Sequence, residues 1–242
     1  MPETPQFGKS SNRLLSRLSR EDFGLLAPHL EATNLPLRHR LEIRNRRIEY
    51  VYFLESGFAS VVANGSKDRS IEVGLIGREG MTGLAVLMGT DRTPYDTYIQ
   101  LGGRGWRVKV DDFSRAIKQN PTLHGLLLQF GHAFVVQAAY TALANARSKL
   151  EERLARWLLM AHDRADGDQI PLTHEFLALM LGVRRPGVTL ALSFLVKQGL
   201  IGTSRGFISI TDRRGLEKSS NGAYGEPEAE FQRLFGALRP SY

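Results

Sequence analysis

The sequence predicts an α+β chain: an antiparallel β half, a long apolar helix, and a C-terminal helix-turn-helix with a short wing. Three observations predict it. Short runs rich in Val, Ile, Tyr and Phe recur over residues 34–110, punctuated by Gly57, Gly65, Gly77, Gly80, Gly83, Gly89, Gly102 and Gly103, the pattern of a barrel or sandwich of short strands. Residues 121–147 place apolar side chains at helical spacing with no Lys, Arg, Asp or Glu before Arg147. Residues 173–205 read as helix, glycine turn, helix and strand pair.

The composition sets the outer bounds. At 242 residues the chain makes one large domain or two smaller ones, and 42% hydrophobic residues exclude wholesale disorder. A net charge of +7 favours anionic partners, nucleic acid or a membrane surface. The absence of cysteine excludes disulfides, cysteine-ligated zinc, iron–sulfur clusters and thiol nucleophiles. The start, Met-Pro-Glu-Thr-Pro-Gln, lacks a signal-peptide core, and no run reaches the roughly 18 apolar residues of a membrane span. A cytoplasmic chain with no membrane partner is expected.

In order, residues 1–12 are polar, and residues 12–30 suit one or two short amphipathic helices, the second capped by Ser19 with Asp22 three positions on. Strands are expected at 47–54, 58–63, 70–76, 97–101 and 105–110. A short helix at 111–120 stops before Pro121. The long helix, with Leu123, Leu126, Leu127, Phe130, Phe134, Tyr140 and Leu143 among small residues, is expected to be buried on more than one side. It reads either as a core helix of one domain or as a seam between two chains. Residues 149–162 form a helix with a polar face (Glu151, Glu152, Arg156) and an apolar one (Leu150, Leu154, Trp157, Leu158). Residues 165–168 are a loop, and 226–238 a terminal amphipathic helix.

The segment 173–205 carries the chemistry. Thr173 suits a helix N-cap, an end that can also face a phosphate. Ala178 is small where a second helix crosses, and Gly182 supplies the positive φ of a tight turn. Leu177, Leu181, Val183, Val188 and Ala191 fall where the two helices and their support share a core. Pro186 fits the first turn of the second helix, where no amide donor is needed. Arg184, Arg185 and Thr189 then face outward at the end of the helix that meets base edges. An arginine there can bind guanine in bidentate fashion, whereas Lys197 suits a phosphate. Residues 200–211 fold as a wing with Arg205 at its tip. The candidate DNA-contacting set is Thr173, Arg184, Arg185, Gly187, Thr189, Lys197 and Arg205.

Catalytic constellations fail on spacing. His174-Glu175 would need histidine at 178 to make the zinc-protease motif, and that residue is Ala178. Gly77, Gly80 and Gly83 do not match a dinucleotide fingerprint. Ser56-Gly57 has no nucleophile-elbow spacing. His124 and His132 are eight apart, and a surface or interface role outweighs haem ligation for either. No enzyme activity, metal or cofactor is expected. Arg38, Arg40, Arg44, Arg46 and Arg47 read as solvated strand edges, ahead of a second DNA face or an anion pocket.

Three segments carry a family resemblance across nearly the whole chain: Val51-Tyr-Phe-Leu-Glu-Ser-Gly-Phe, Gly77-Arg-Glu-Gly-Met-Thr-Gly-Leu-Ala-Val-Leu-Met-Gly, and Leu172-Thr-His-Glu-Phe-Leu-Ala-Leu-Met-Leu-Gly-Val-Arg-Arg-Pro-Gly-Val. The chain resembles the cyclic-AMP receptor protein/FNR family of transcription regulators. The resemblance implies a cyclic-nucleotide-binding-like β-roll over 1–120, a dimerisation helix over 121–147, a winged helix-turn-helix over 148–215 and a helical tail over 216–242. It implies a homodimer on a palindromic operator in double-stranded DNA, with RNA polymerase as a further partner. Arg185 matches the family's base-reading arginine. Pro186 stands where glutamate is common, and Leu190 where a second arginine is frequent, so the operator cannot be carried over.

The nucleotide cassette departs further. Gly83 matches its glycine, but Leu84 replaces the ribose-binding glutamate and residues 93–97 replace the phosphate-binding arginine segment. Asp96 there opposes a phosphate. The effector-pocket candidates are Gly83, Leu84, Arg92 and Thr97, and no tight cyclic-AMP binding is expected. A cyclic-nucleotide-responsive regulator with a divergent cassette, and a regulator with no effector, are the alternatives.

Overall fold

The computed structural model describes residues 5–65 and 70–238. The chain opens with α1 (Arg13–Arg17) and α2 (Arg20–Leu26). Asn12 Oδ1 accepts from the Leu14 and Leu15 amides, and Ser19 Oγ from that of Asp22, so both helices start on side-chain caps. There follow β1 (Glu31–Leu35), β2 (Arg40–Glu42), β3 (Tyr50–Leu54), β4 (Phe58–Asn64), β5 (Ser70–Ile76), α3 (Leu84–Leu87), β6 (Tyr95–Leu101) and β7 (Gly103–Lys109). Then come α4 (Val110–Gln119), α5 (Pro121–Arg147), α6 (Leu150–His162), β8 (Gln169–Pro171), α7 (His174–Leu181) and α8 (Arg185–Lys197). The chain closes with β9 (Ile201–Ser204), β10 (Phe207–Ile210), α9 (Arg213–Ser219) and α10 (Glu226–Phe235).

The chain divides into two compact units: residues up to Val61 with Ile76–Phe134, and Val62–Leu75 with the residues from Val135 on. In the first, β1 and β3 flank β7 in an antiparallel sheet with Glu31 opposite Arg107 and Tyr50 opposite Lys109. A second sheet runs β2-β6-β4. Leu35, Phe53 and Val108 from one sheet, Phe58 and Ile99 from the other, and Phe113 of α4 are fully buried, each worth roughly 1.5–3 kcal/mol of apolar transfer. Arg38, Arg40, Arg44, Arg46 and Arg47 are all exposed, as expected of charged strand edges and turns.

Helix α5 runs from Pro121 to Arg147, capped by Asn120 Oδ1 on the Thr122 and Leu123 amides. Its burial is less than expected. Leu123, Leu127 and Phe130 are buried, but Leu128, Val135 and Leu143 are 41%, 54% and 54% exposed. The apolar surface runs round the helix, while this chain covers only part of it. The expectation that no segment suits a membrane span also needs correction, because α5 is long and apolar enough by length and composition. Counting unbroken apolar runs missed it, since Gly, Gln, Thr and His interrupt its Leu, Phe, Val and Ala residues without lowering their average much.

In the second unit, residues 154–161 of α6 are buried along their whole length. Arg156 is among them and is not on a solvated face. Its Nη2 donates to the Gln137 carbonyl at 3.4 Å. Burial pulls its pKa down, opposed by the charges of Glu228 and Glu72. The β5 segment is held here as well: Trp157 Nε1 donates to Glu72 at 2.6 Å, and Gln137 takes the Leu75 amide at 2.6 Å while donating to its carbonyl at 3.2 Å. The segment after α9 is tied down by Asp163, which accepts from Arg213 Nη2 and the Tyr224 hydroxyl, each at 2.8 Å. Arg213 Nη1 lies 3.0 Å from His162 Nδ1, and a guanidinium only donates. That ring nitrogen therefore accepts, and Nε2 carries the proton toward Asp168 at 2.8 Å.

Candidate nucleic-acid interface

The helix-turn-helix is assembled by local chemistry. Thr173 Oγ1 accepts from the Phe176 amide at 3.2 Å and starts α7. Gly182 ends it in the left-handed region at φ 62°, where a side chain is strained, and the Val183 amide returns to the Ala178 carbonyl at 2.9 Å. Arg153 of α6 donates its guanidinium to the Leu181 carbonyl and to Asn145 Oδ1, placing positive charge on the C-terminal end of α7. After a three-residue turn the axis bends by 105° into α8, within the usual range for such a motif. Leu177, Met180, Leu181, Val188, Ala191, Leu192 and Leu195 form its buried side.

Arg184 is the N-cap of α8 and Arg185 its first residue, followed by Pro186. Arg184, Arg185, Thr189 and Lys197 are all exposed. The Thr189 hydroxyl donates to the Arg185 carbonyl at 3.2 Å and lies 3.1 Å from His174 Nδ1, linking the two helices. Gly187 is half-buried on the inner side, where a Cβ would come within 3.1 Å of Leu150 Cδ2. The wing is a three-stranded sheet, β8-β10-β9. Exposed Arg205 and Gly206 make its tip, and the Gly206 carbonyl accepts from the Leu172 amide at 2.9 Å. Between the α7 start, Arg185 and wing residues 203–208 lies a cleft of 290 Å³. Thr173 lines it and Glu175 is its one carboxylate among the described residues. The arrangement gathers Thr173, Arg185 and Arg205 round one opening, with Arg184, Thr189 and Lys197 along α8 outside its lining.

The expected effector pocket is arranged differently. Gly83, at φ 79°, caps α3, and its amide donates to Glu42 Oε1 at 2.6 Å. The Thr97 hydroxyl donates to Glu42 Oε2, also at 2.6 Å. Gly83 and Thr97 thus come together on a buried internal carboxylate, whose pKa is raised by burial against the pull of both hydrogen bonds. Leu84 is half-buried beside them in sequence. Arg92 does not join: it is exposed and pairs with Asp91, Nε to Oδ1 2.9 Å. Asp96 Oδ1 accepts from the Arg44 amide at 3.1 Å. Sequence reasoning missed Glu42 because the three-residue strand that carries it shows no period of its own.

Residues 152–219 match the model of the Crp-like helix-turn-helix domain. A search among characterised proteins finds no sequence match. Among solved structures, the chain is similar to a Crp/Fnr-family transcriptional regulator from Eubacterium rectale at 18% identity and TM-score 0.69, covering 86% of this chain and 98% of that one. It is similar to FixK2 from Bradyrhizobium japonicum at 19% identity and TM-score 0.67, with 78% and 96% covered. For a CRP-family transcriptional regulator from Thermus thermophilus, the figures are 18%, 0.67, 80% and 98%.

Proposed function

The chain has the fold of Crp/Fnr-type transcription regulators and carries their helix-turn-helix domain, and from this we propose that it is a cytoplasmic, sequence-specific DNA-binding regulator acting as a homodimer on a palindromic operator. The observation that carries the reading is Arg185, exposed at the first turn of α8 beside the cleft that Thr173 and the wing line. Two copies of that surface meet two half-sites about 34 Å apart on one duplex. Lys197, Arg184 and Arg205 supply phosphate contacts and salt dependence, and Arg185 supplies base discrimination. The apolar residues that α5 leaves exposed form the seam between copies. RNA polymerase is a further partner, and no enzymatic role is assigned.

Selection from random duplexes, followed by footprinting, tests the reading. The expected product is one two-fold symmetric sequence with half-sites a helical turn apart. Recovery of no common sequence would sink it.

Cyclic AMP is not the effector in this reading. Glu42 already takes the hydrogen bonds of Gly83 and Thr97, and Arg92 is turned to Asp91. Calorimetric titration with cyclic AMP and cyclic GMP checks this, and micromolar binding of either would favour the divergent-cassette alternative.

A further inference from the structure

The outward face of α8 is unusual in what it lacks. Val188, Ala191, Leu192 and Leu195 form the buried stripe. At about 100° per residue, the opposite side carries Pro186, Leu190, Ser193 and Lys197, all exposed. Leu190 is 73% exposed, more than any other large apolar side chain among the described residues. One exposed leucine is ordinary, so its neighbours decide the matter. The Thr189 hydroxyl donates to the Arg185 carbonyl at 3.2 Å, and the Ser193 hydroxyl to the Thr189 carbonyl at 2.9 Å. Proline has no amide proton. Between Arg185 and Lys197 the face therefore offers hydrocarbon with only the hydroxyl oxygens of Thr189 and Ser193 as acceptors, since both hydroxyls donate to backbone carbonyls. Phe194, 43% exposed and one turn beyond Leu190, extends the same surface.

In a major groove, hydrocarbon of this kind has one apolar partner, the C5 methyl group of thymine. A polar base edge pressed against Leu190 would lose its water and gain no hydrogen bond, which costs free energy. We propose that Leu190 reads a thymine methyl in each half-site, so that the operator is specified by one arginine-read guanine and a neighbouring methyl contact. The inference rests on the reading of α8 as the helix that enters DNA.

The experiment uses the full chain and the operator it selects. Each thymine is replaced in turn by deoxyuridine, which keeps base pairing and removes only the methyl group. At one symmetry-related pair of positions, wild-type affinity should fall about four-fold per half-site, the transfer worth of one methyl. In Leu190→Ala that penalty should vanish while the guanine preference stays. Leu190 is exposed, so the variant keeps its core, and the wild-type deoxyuridine series stands without it. If an operator is selected but no deoxyuridine position weakens wild-type binding, or the penalty persists in Leu190→Ala, the inference is overturned and the DNA-reading function stands. If no operator is selected, the function beneath it fails, and the inference with it.

Discussion

Arg185 sits exposed where the first turn of α8 opens toward the cleft. Truncating it should remove about 1–3 kcal/mol of discrimination per contacted base pair. Arg185→Ala is therefore expected to lose its preference for guanine at the contacted position in each half-site, with the salt-sensitive component and the preferences carried by other residues intact; gel-shift competition with operators substituted at that base pair measures the ratio, and an unchanged guanine preference refutes the role. Glu42 gives a second prediction. Burial raises its pKa above the ordinary 4.5, so its neutral form is favoured by the fold, and the stability it contributes is complete below that value and lost as pH rises through the folded-state value. Gln at 42 stays neutral and can hold both partners. Glu42→Gln should therefore melt above wild type at pH 7–8, with the gap closing toward pH 4.5. A gap that stays constant across a melting series would contradict the assignment. These two residues also mark how far sequence reading reaches. Thr173, Gly182 and Arg185 were legible because caps and turns are set by neighbours a few positions away. Glu42 was not, since its partners lie 41 and 55 residues further on.

At the scale of elements, helices with strong local punctuation were read nearly to the residue. Pro121 and Arg147 bound α5, and Gly182 separates α7 from α8 as expected. The strands β1, β2 and β8 and the short helix α3 escaped, wholly or in part. Glu31-Ala-Thr-Asn-Leu is mostly exposed and becomes a strand only by pairing with β7, whose residues lie far along the chain; context of that kind overrides propensity. The turn between α7 and α8 supplies the third prediction. Gly182→Ala places a side chain at φ 62° and within 3.2 Å of Ile71 Cδ1. It should cost about 1–2 kcal/mol from the backbone conformation alone, read as a lower urea midpoint with unchanged slope. Operator affinity should fall with it, since the 105° bend holds Arg185 against the α7 start.

For the whole molecule, the order of parts was legible: β half, long helix, DNA reader. The allotment of Val62–Leu75 to the same compact unit as the reader was not, because the bonds that hold it, Leu75 to Gln137 and Glu72 to Trp157, span 62 and 85 residues. The fourth prediction concerns assembly. Leu128, Val135 and Leu143 recur at intervals of seven and eight along α5 and are exposed, the spacing of a helix–helix seam. Replacing all three with serine should convert a dimer to monomers in sedimentation equilibrium and reduce operator binding to that of a single half-site. Persistence of the dimer would place the seam elsewhere. Glu42 has a consequence of another kind. The chain's own acid answers the Gly83 amide and the Thr97 hydroxyl, so one codon separates that closed set of bonds from two buried donors left without an acceptor.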